Sequence, residues 1–134
     1  MKIEHIAIWV KDIDKVCEFY RKYFGGVVHP IYHNPAKQFT SRFITFDDGA
    51  RLEVMHRPDI CVERNVVTIE MFHVEHLGFT HLSFSVGSKE EVDRLTQQMF
   101  SDGIAIVGQP RTTGDGYYES IVLDPEGNRI EITI

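Results

Sequence analysis

The sequence predicts an α+β fold made of two tandem β-α-β-β-β modules that form a curled mixed sheet, with the helices on its convex face. The main observation is an apolar strand that contains a histidine and occurs twice, around His5 and around His81. Each copy precedes an acidic segment that is typical of a helix start. Because the two histidines lie more than half of the 134-residue chain apart, we interpret the pattern as a duplication.

The first module is predicted over residues 2–56. Residues 2–10 alternate as a strand does, and Asp12 can cap a helix that runs to about Phe24, where two glycines end it. Three further strands are predicted at residues 27–32, 39–46 and 50–56. Residues 57–77 then break the pattern, and we interpret them as a linker that can fold over a site, with either a short helix or an irregular connection at 66–76.

A second module is predicted over residues 78–134. Its helix can be capped by Ser88 and ends before Gly103. Its four strands are predicted at residues 78–86, 104–107, 117–123 and 129–134. Gln109 and Pro110 are expected to open a loop, and an Asp-Pro-Glu-Gly turn precedes the last strand.

The composition argues against several classes of function. The net charge is −6 and the basic residues are scattered, which is atypical of proteins that bind nucleic acid or anionic membranes. No apolar run is long enough to span a membrane, and the N-terminus lacks the pattern of a signal peptide, so we expect a cytoplasmic location. The two cysteines cannot form a disulfide framework, and Cys17 is predicted to be a buried thiol.

Four polar residues occupy matching places in the two modules: His5, Glu53, His81 and Glu131. Each histidine lies in the first strand of its module and each glutamate in the last, always opposite the apolar strand face. All four are therefore predicted on one side of the sheet, away from the helices. Two imidazoles and two carboxylates suit a divalent zinc, nickel, cobalt, manganese or iron ion, with room left for substrate oxygens.

A single histidine or glutamate in a strand is more often a surface or core residue than a metal ligand; the repetition is what favours a site. The other histidines are interpreted as ordinary solvated residues, with a role near the site left open for the two in the linker, His73 and His76; the rest are His29, His33 and His56. Four aromatic residues fit either a substrate pocket or the core: Trp9, Phe79, Tyr117 and Tyr118. Ser83 and Ser85 have no base at a readable spacing, so neither is predicted to be a nucleophile.

Four segments together resemble the vicinal oxygen chelate superfamily, which comprises glyoxalase I, bleomycin-resistance proteins and extradiol dioxygenases. These segments are His5-Ile6-Ala7-Ile8, Leu52-Glu53-Val54, His81-Leu82-Ser83-Phe84 and the run from Asp124 to Ile132. The resemblance extends over nearly the whole chain apart from residues 57–77. It implies a single glyoxalase-like domain, built from repeats 2–56 and 78–134, and a homodimer.

The ligand order His, Glu, His, Glu is similar to that of glyoxalase I (lactoylglutathione lyase). The resemblance implies that His5, Glu53, His81 and Glu131 bind a divalent metal ion. One of the two glutamates, with Glu131 favoured over Glu53, would then leave the ion and transfer a proton between neighbouring carbons of a small substrate, such as a hemithioacetal of glutathione and a 2-oxoaldehyde.

Related activities stay open. Epimerases of this superfamily usually carry glutamine where this chain has Glu53, and thiol transferases and dioxygenases use three ligands. A non-catalytic resistance protein would bind a small molecule in the same cup without metal. Only Arg42, Arg51 and Arg111 are candidates for binding the carboxylates of glutathione. The sequence leaves open whether the four ligands come from one chain or from two chains of a dimer.

Overall fold

A computed structural model describes residues 1–60 and 78–134. The chain divides into two compact units, residues 1–62 and 63–134, each with one long helix and one mixed sheet. Most of the predicted linker, with Cys61, His73 and His76, lies outside the described residues. None of the described helices has the length and apolar character needed to cross a membrane.

The first unit has the predicted order with one additional short strand. Its elements are β1 (His5–Trp9), α1 (Ile13–Phe24), β2 (Val27–Val28), β3 (Tyr32–Asn34), a 3-10 turn (Pro35–Lys37), β4 (Phe39–Thr45) and β5 (Arg51–His56). The sheet order is β1-β5-β4-β2, β3 also pairs with β4, and only β1 and β5 run parallel. The single strand predicted at 27–32 is thus divided, because Pro30, which has no N–H to donate, interrupts it.

Local sequence fixes both ends of α1. The Asp12 side chain accepts a hydrogen bond from the backbone N–H of Lys15 at 2.9 Å, and Gly25 takes the left-handed conformation (φ 65°) that ends the helix. The apolar side of α1 is buried, including Cys17, as predicted. Burial raises the pKa of the Cys17 thiol to about 11, so this cysteine stays protonated at neutral pH.

The second unit has the predicted β-α-β-β-β order. Its elements are β6 (His81–Ser85), α2 (Lys89–Ser101), β7 (Ile106–Thr112), β8 (Tyr118–Leu123) and β9 (Arg129–Thr133). The sheet order is β6-β9-β8-β7, with β6 and β9 parallel. Ser88 caps α2 by accepting a hydrogen bond from the backbone N–H of Glu91 at 3.2 Å.

The prediction of a loop that opens at Gln109 and Pro110 was wrong, because both residues belong to β7. The pairing of β7 with β8 shifts register on either side of Gly108, and Pro110 lies inside the second irregularity, where the ladder does not need its missing N–H. A Cβ at position 108 would lie 3.2 Å from the side chain of Ile121, so glycine lets the two strands approach.

The strand pairing around the predicted ligands is equivalent in the two sheets. Ala7 is the Cα partner of Glu53 on β5, and Ser83 is the Cα partner of Glu131 on β9. The residues flanking each glutamate are fully or almost fully buried against the helix of their unit: Leu52, Val54, Ile130 and Ile132. Since side chains alternate along a strand, both glutamates lie on the face away from the helices, as predicted.

Candidate metal centre

The first unit brings His5 and Glu53 together on that face. The Nε2 atom of His5 lies 3.9 Å from Oε2 of Glu53, whose side chain is largely buried. Nδ1 of His5 lies 2.5 Å from Oε2 of Glu4, a carboxylate oxygen that accepts an N–H, while Nε2 faces Glu53. Glu4 is in turn bonded to Arg51. This chain of contacts orients the imidazole, and carboxylates orient metal-binding histidines in the same way.

The hydrogen bond with His5, followed by the contact with Arg51, holds the pKa of the exposed Glu4 carboxyl below its usual value. Glu4 is therefore ionised at neutral pH. An ionised carboxylate is the form that accepts a hydrogen bond from an imidazole N–H.

The second unit brings His81 and Glu131 together at the equivalent place. Nε2 of His81 lies 3.5 Å from Oε2 of Glu131. The hydroxyl of Ser83 donates to the other oxygen, Oε1, at 2.6 Å. One carboxylate oxygen is thus held by the neighbouring strand while the second faces the imidazole.

A second carboxyl group lies beside Glu131. Glu119 is buried on β8, two residues from Ile121, which pairs with Glu131, so both carboxyls lie on the same face of the sheet. Burial, followed by the charge of Glu131 and the hydrogen bond between the two carboxyls, raises the pKa of Glu119. Arg111 donates to Glu119 at 3.1 Å and opposes this shift only in part.

The two pairs can be compared with the spacing of two ligands on one metal ion. Bonds of about 2.0–2.2 Å in a tetrahedral centre put neighbouring ligand atoms about 3.3–3.6 Å apart. The 3.5 Å separation of His81 and Glu131 lies within this range, and the 3.9 Å separation of His5 and Glu53 lies just above it. Among residues 1–60 and 78–134, no three His, Cys, Asp or Glu side chains are grouped to hold a metal. Since protein metal sites use three or four ligands, a complete centre would require both pairs, and their union stays a prediction.

The other histidines in the described residues make structural contacts. Nδ1 of His56 bonds to the carbonyl oxygen of Val10 at 3.0 Å, on the strand face opposite that of Glu53. His29 and His33 bond to threonine hydroxyls of β4, both at 3.0 Å. None of the three lies in a His–Glu pair.

The three arginines considered for glutathione already face carboxylates. Arg51 is bonded to Glu4 and Arg111 to Glu119. Arg42 lies 3.5 Å from Asp14. Of the aromatic candidates, Trp9, Phe79 and Tyr117 are exposed, while the hydroxyl of Tyr118 donates to Asp93 on α2 at 2.7 Å.

Sequence reasoning missed the residues that contact the candidate ligands, Glu4, Ser83 and Glu119, and it missed Arg111 as the partner of Glu119. Glu4 could have been noticed, because it is adjacent to His5. In the sequence, Ser83 raises only the question of a nucleophile. Its contact with Glu131 depends on the parallel register of β6 and β9, which places the two residues opposite each other.

Comparison with known proteins places this chain in a family. The model of the glyoxalase/bleomycin resistance protein/dioxygenase superfamily matches residues 2–132. YqjT of Bacillus subtilis (strain 168), an uncharacterized protein, is 23% identical over 133 residues, which cover 97% of this chain and 96% of YqjT.

Two glyoxalase I structures share the fold. That of Zea mays matches with a TM-score of 0.75 at 18% identity, over 98% of this chain and 44% of the maize chain. The trypanothione-dependent glyoxalase I of Leishmania major matches with a TM-score of 0.72 at 20% identity, over 99% of this chain and 86% of that one. The family model and the shared fold confirm the resemblance seen in the sequence. The chain belongs to the glyoxalase/bleomycin resistance protein/dioxygenase superfamily.

Proposed function

We propose that this protein is a divalent-metal-dependent lyase or isomerase of the glyoxalase I kind. The observation that carries the proposal is the repeated His–Glu pair, with Nε2–Oε2 separations of 3.9 Å and 3.5 Å at the same register of the two sheets. His5, Glu53, His81 and Glu131 would together hold one zinc, nickel, cobalt, manganese or iron ion. The ligands would come from one chain or from both chains of a homodimer. We expect the protein to act in the cytoplasm.

The chemistry follows from these residues. A divalent ion bound here would polarise a substrate carbonyl and acidify the neighbouring C–H group. Glu131 would take that proton and return it to the adjacent carbon. Ser83 supports the choice of Glu131, because its bond to Oε1 fixes the carboxylate in one orientation, and a general base acts efficiently only when it is positioned. Glu53 accepts no such hydrogen bond from the described residues and would serve as a ligand.

The substrate proposed first is a hemithioacetal of glutathione and a 2-oxoaldehyde. The engagement of Arg42, Arg51 and Arg111 with carboxylates favours a second candidate, a related metal enzyme whose substrate carries no glutathione. An epimerase or a thiol transferase of the same superfamily belongs to this class.

Metal analysis combined with an assay tests the proposal. Protein purified without chelators should contain close to one divalent ion per complete centre and should lose it in the Glu53→Gln, Glu131→Gln double variant. Metal-loaded protein should then isomerise the hemithioacetal of methylglyoxal and glutathione.

Metal-loaded protein that leaves this hemithioacetal unchanged would exclude the glyoxalase activity and leave the second candidate. Exchange of solvent deuterium into an acyl-CoA would then indicate an epimerase. Protein that binds no metal but binds a small molecule tightly would contradict both enzymes and indicate a resistance protein.

A further inference from the structure

An exposed aromatic patch, made of Trp9, Tyr32 and Phe39, lies on the sheet of the first unit. The ring of Phe39 stands edge-on to Trp9, with centroids 6.0 Å apart, and lies 6.2 Å from the ring of Tyr32. Trp9 is 42% exposed and Tyr32 is 56% exposed. Large apolar side chains grouped at the surface of a soluble protein mark a binding site more often than isolated ones do.

The aromatic patch continues the face that carries the His5–Glu53 pair. Alternation along β1 puts Trp9 on the same side as His5. Glu53 pairs with Ala7, which is two residues, or about 7 Å, from Trp9 along the strand. A small molecule whose oxygens lie beside Glu53 therefore reaches Trp9 without leaving this face.

The second unit shows that the fold does not require these rings. Ser85 pairs with Thr133 at the register where Trp9 pairs with Met55. The same strand pair therefore forms with two small polar residues in one unit and with a tryptophan and a methionine in the other. Strand pairing therefore does not explain why the first unit has aromatic residues at these positions.

A shallow cleft adjoins the aromatic patch. Its volume is about 340 Å³, and it is lined by Ala36, Lys37, Gln38, Arg57 and Asp59. The guanidinium of Arg57 lies 5.6 Å from the centre of the Trp9 ring and pairs with Asp59 at 2.5 Å. The guanidinium of Arg57 interacts with one side of the indole ring and adds a polar group at the edge of the aromatic patch.

We propose that the substrate carries a planar aromatic group, which lies on the aromatic patch while its two neighbouring oxygens reach the metal ligands. The substrate class is thus an aryl compound with vicinal oxygens. The inference rests on the proposed metal centre and specifies what that centre binds. Ring-on-ring contacts favour an aryl group over an alkyl group of similar size.

Two hydroxamic acids test the inference. Benzohydroxamate and acetohydroxamate share one chelating group and differ by a ring in place of a methyl group. With metal-loaded full-length protein, we expect benzohydroxamate to bind at least about tenfold more tightly. It should also quench the fluorescence of Trp9, the single tryptophan of the chain.

Three variants make the test specific. Trp9→Ser introduces the residue found at the matching register of the second unit and should abolish the preference without unfolding the sheet, as circular dichroism would verify. Trp9→Phe should keep most of the preference. Tyr117→Ser removes another exposed aromatic ring and should leave it unchanged.

Equal, metal-dependent binding of both hydroxamates would overturn the inference and leave the proposed metal centre intact. Binding of neither, or binding without metal, would contradict the metal centre itself and the inference with it. If Trp9→Ser turned a dimer into a monomer in sedimentation and the ring gave no preference, the aromatic patch would be a contact between copies of the chain, and the inference would fall.

Discussion

Each unit has one His–Glu pair, but the two units differ in which residue of the pair is hydrogen-bonded to a neighbouring side chain. In the first unit the outer hydrogen bond goes to the histidine, since Glu4 accepts from Nδ1 of His5. In the second it goes to the glutamate, since Ser83 donates to Glu131. Within the described part of the chain, nothing bonds to Nδ1 of His81. The two units thus share the positions of the candidate ligands but not their surroundings.

The difference originates in single positions of matching register. Ala7 stands where the second unit has Ser83, and it has no hydroxyl to offer Glu53. Ser41, paired with Met55, stands where the second unit has Glu119, paired with Thr133. Two glutamates with such different neighbours should not be interchangeable. This is the physical basis for assigning Glu131 to proton transfer and Glu53 to metal binding.

The largest expected effect comes from removing one histidine of either pair. If one centre uses both pairs, His5→Ala and His81→Ala should each lower metal affinity by more than about 100-fold, because only three of the four ligands remain to hold the ion. Chelator competition measures this affinity. His33→Ala, which changes an exposed histidine outside the pairs, should bind metal normally. Retention of about half the metal by each variant would mean that the pairs act separately.

The next effect separates the two glutamates. Ser83→Ala should lower kcat about tenfold or more with little change in KM or metal content, because the carboxylate of Glu131 loses its fixed orientation. Ser83→Thr keeps the hydroxyl and should restore activity, whereas Ser83→Val has the same shape without it and should not. Ala7→Ser should leave kcat almost unchanged. A larger loss in Ala7→Ser than in Ser83→Ala would make Glu53 the base.

A smaller effect is expected at the histidine of the first unit. Glu4→Gln replaces the carboxylate that orients His5 with a neutral amide and should weaken metal binding about tenfold. Thr80→Ala, at the residue before His81, serves as the control and should have no effect. Titration of metal-free protein with the ion gives both affinities, and equal affinities for Glu4→Gln and the unaltered chain would show that the bond to Glu4 does not support the site.

The smallest effect concerns stability in the metal-free protein. The raised pKa of Glu119 means that the folded state binds this proton more tightly than the unfolded state. Stability should therefore fall as the pH rises from the ordinary carboxyl pKa of 4.5 through the raised pKa of the folded state. Glu119→Gln should flatten this fall and be the more stable protein at neutral pH, as urea unfolding at several pH values would show. A variant that is less stable at neutral pH would indicate that the bond to Arg111 outweighs burial.

Much of the fold could be predicted because the signals are local. Asp12 and Ser88 cap their helices with their own side chains, and alternation assigned Glu53 and Glu131 to the face away from the helices. The errors concern strand boundaries that depend on pairing with another strand. Pro30 divides one predicted strand, whereas Pro110 is accommodated inside another at a bulge. The same residue type has opposite effects because only the partner strand determines whether its missing N–H matters.

The sequence by itself determined where the four candidate ligands lie, because a repeated strand pattern carries their positions and faces. It could not assign their partners. Ser83 and Glu131 are distant in sequence and meet through the parallel register of β6 with β9, and Glu119 joins them from a third strand. Register is set by the packing of whole strands against a helix and against one another. Only the tertiary structure therefore decided that the outer hydrogen bond goes to the histidine in the first unit and to the glutamate in the second.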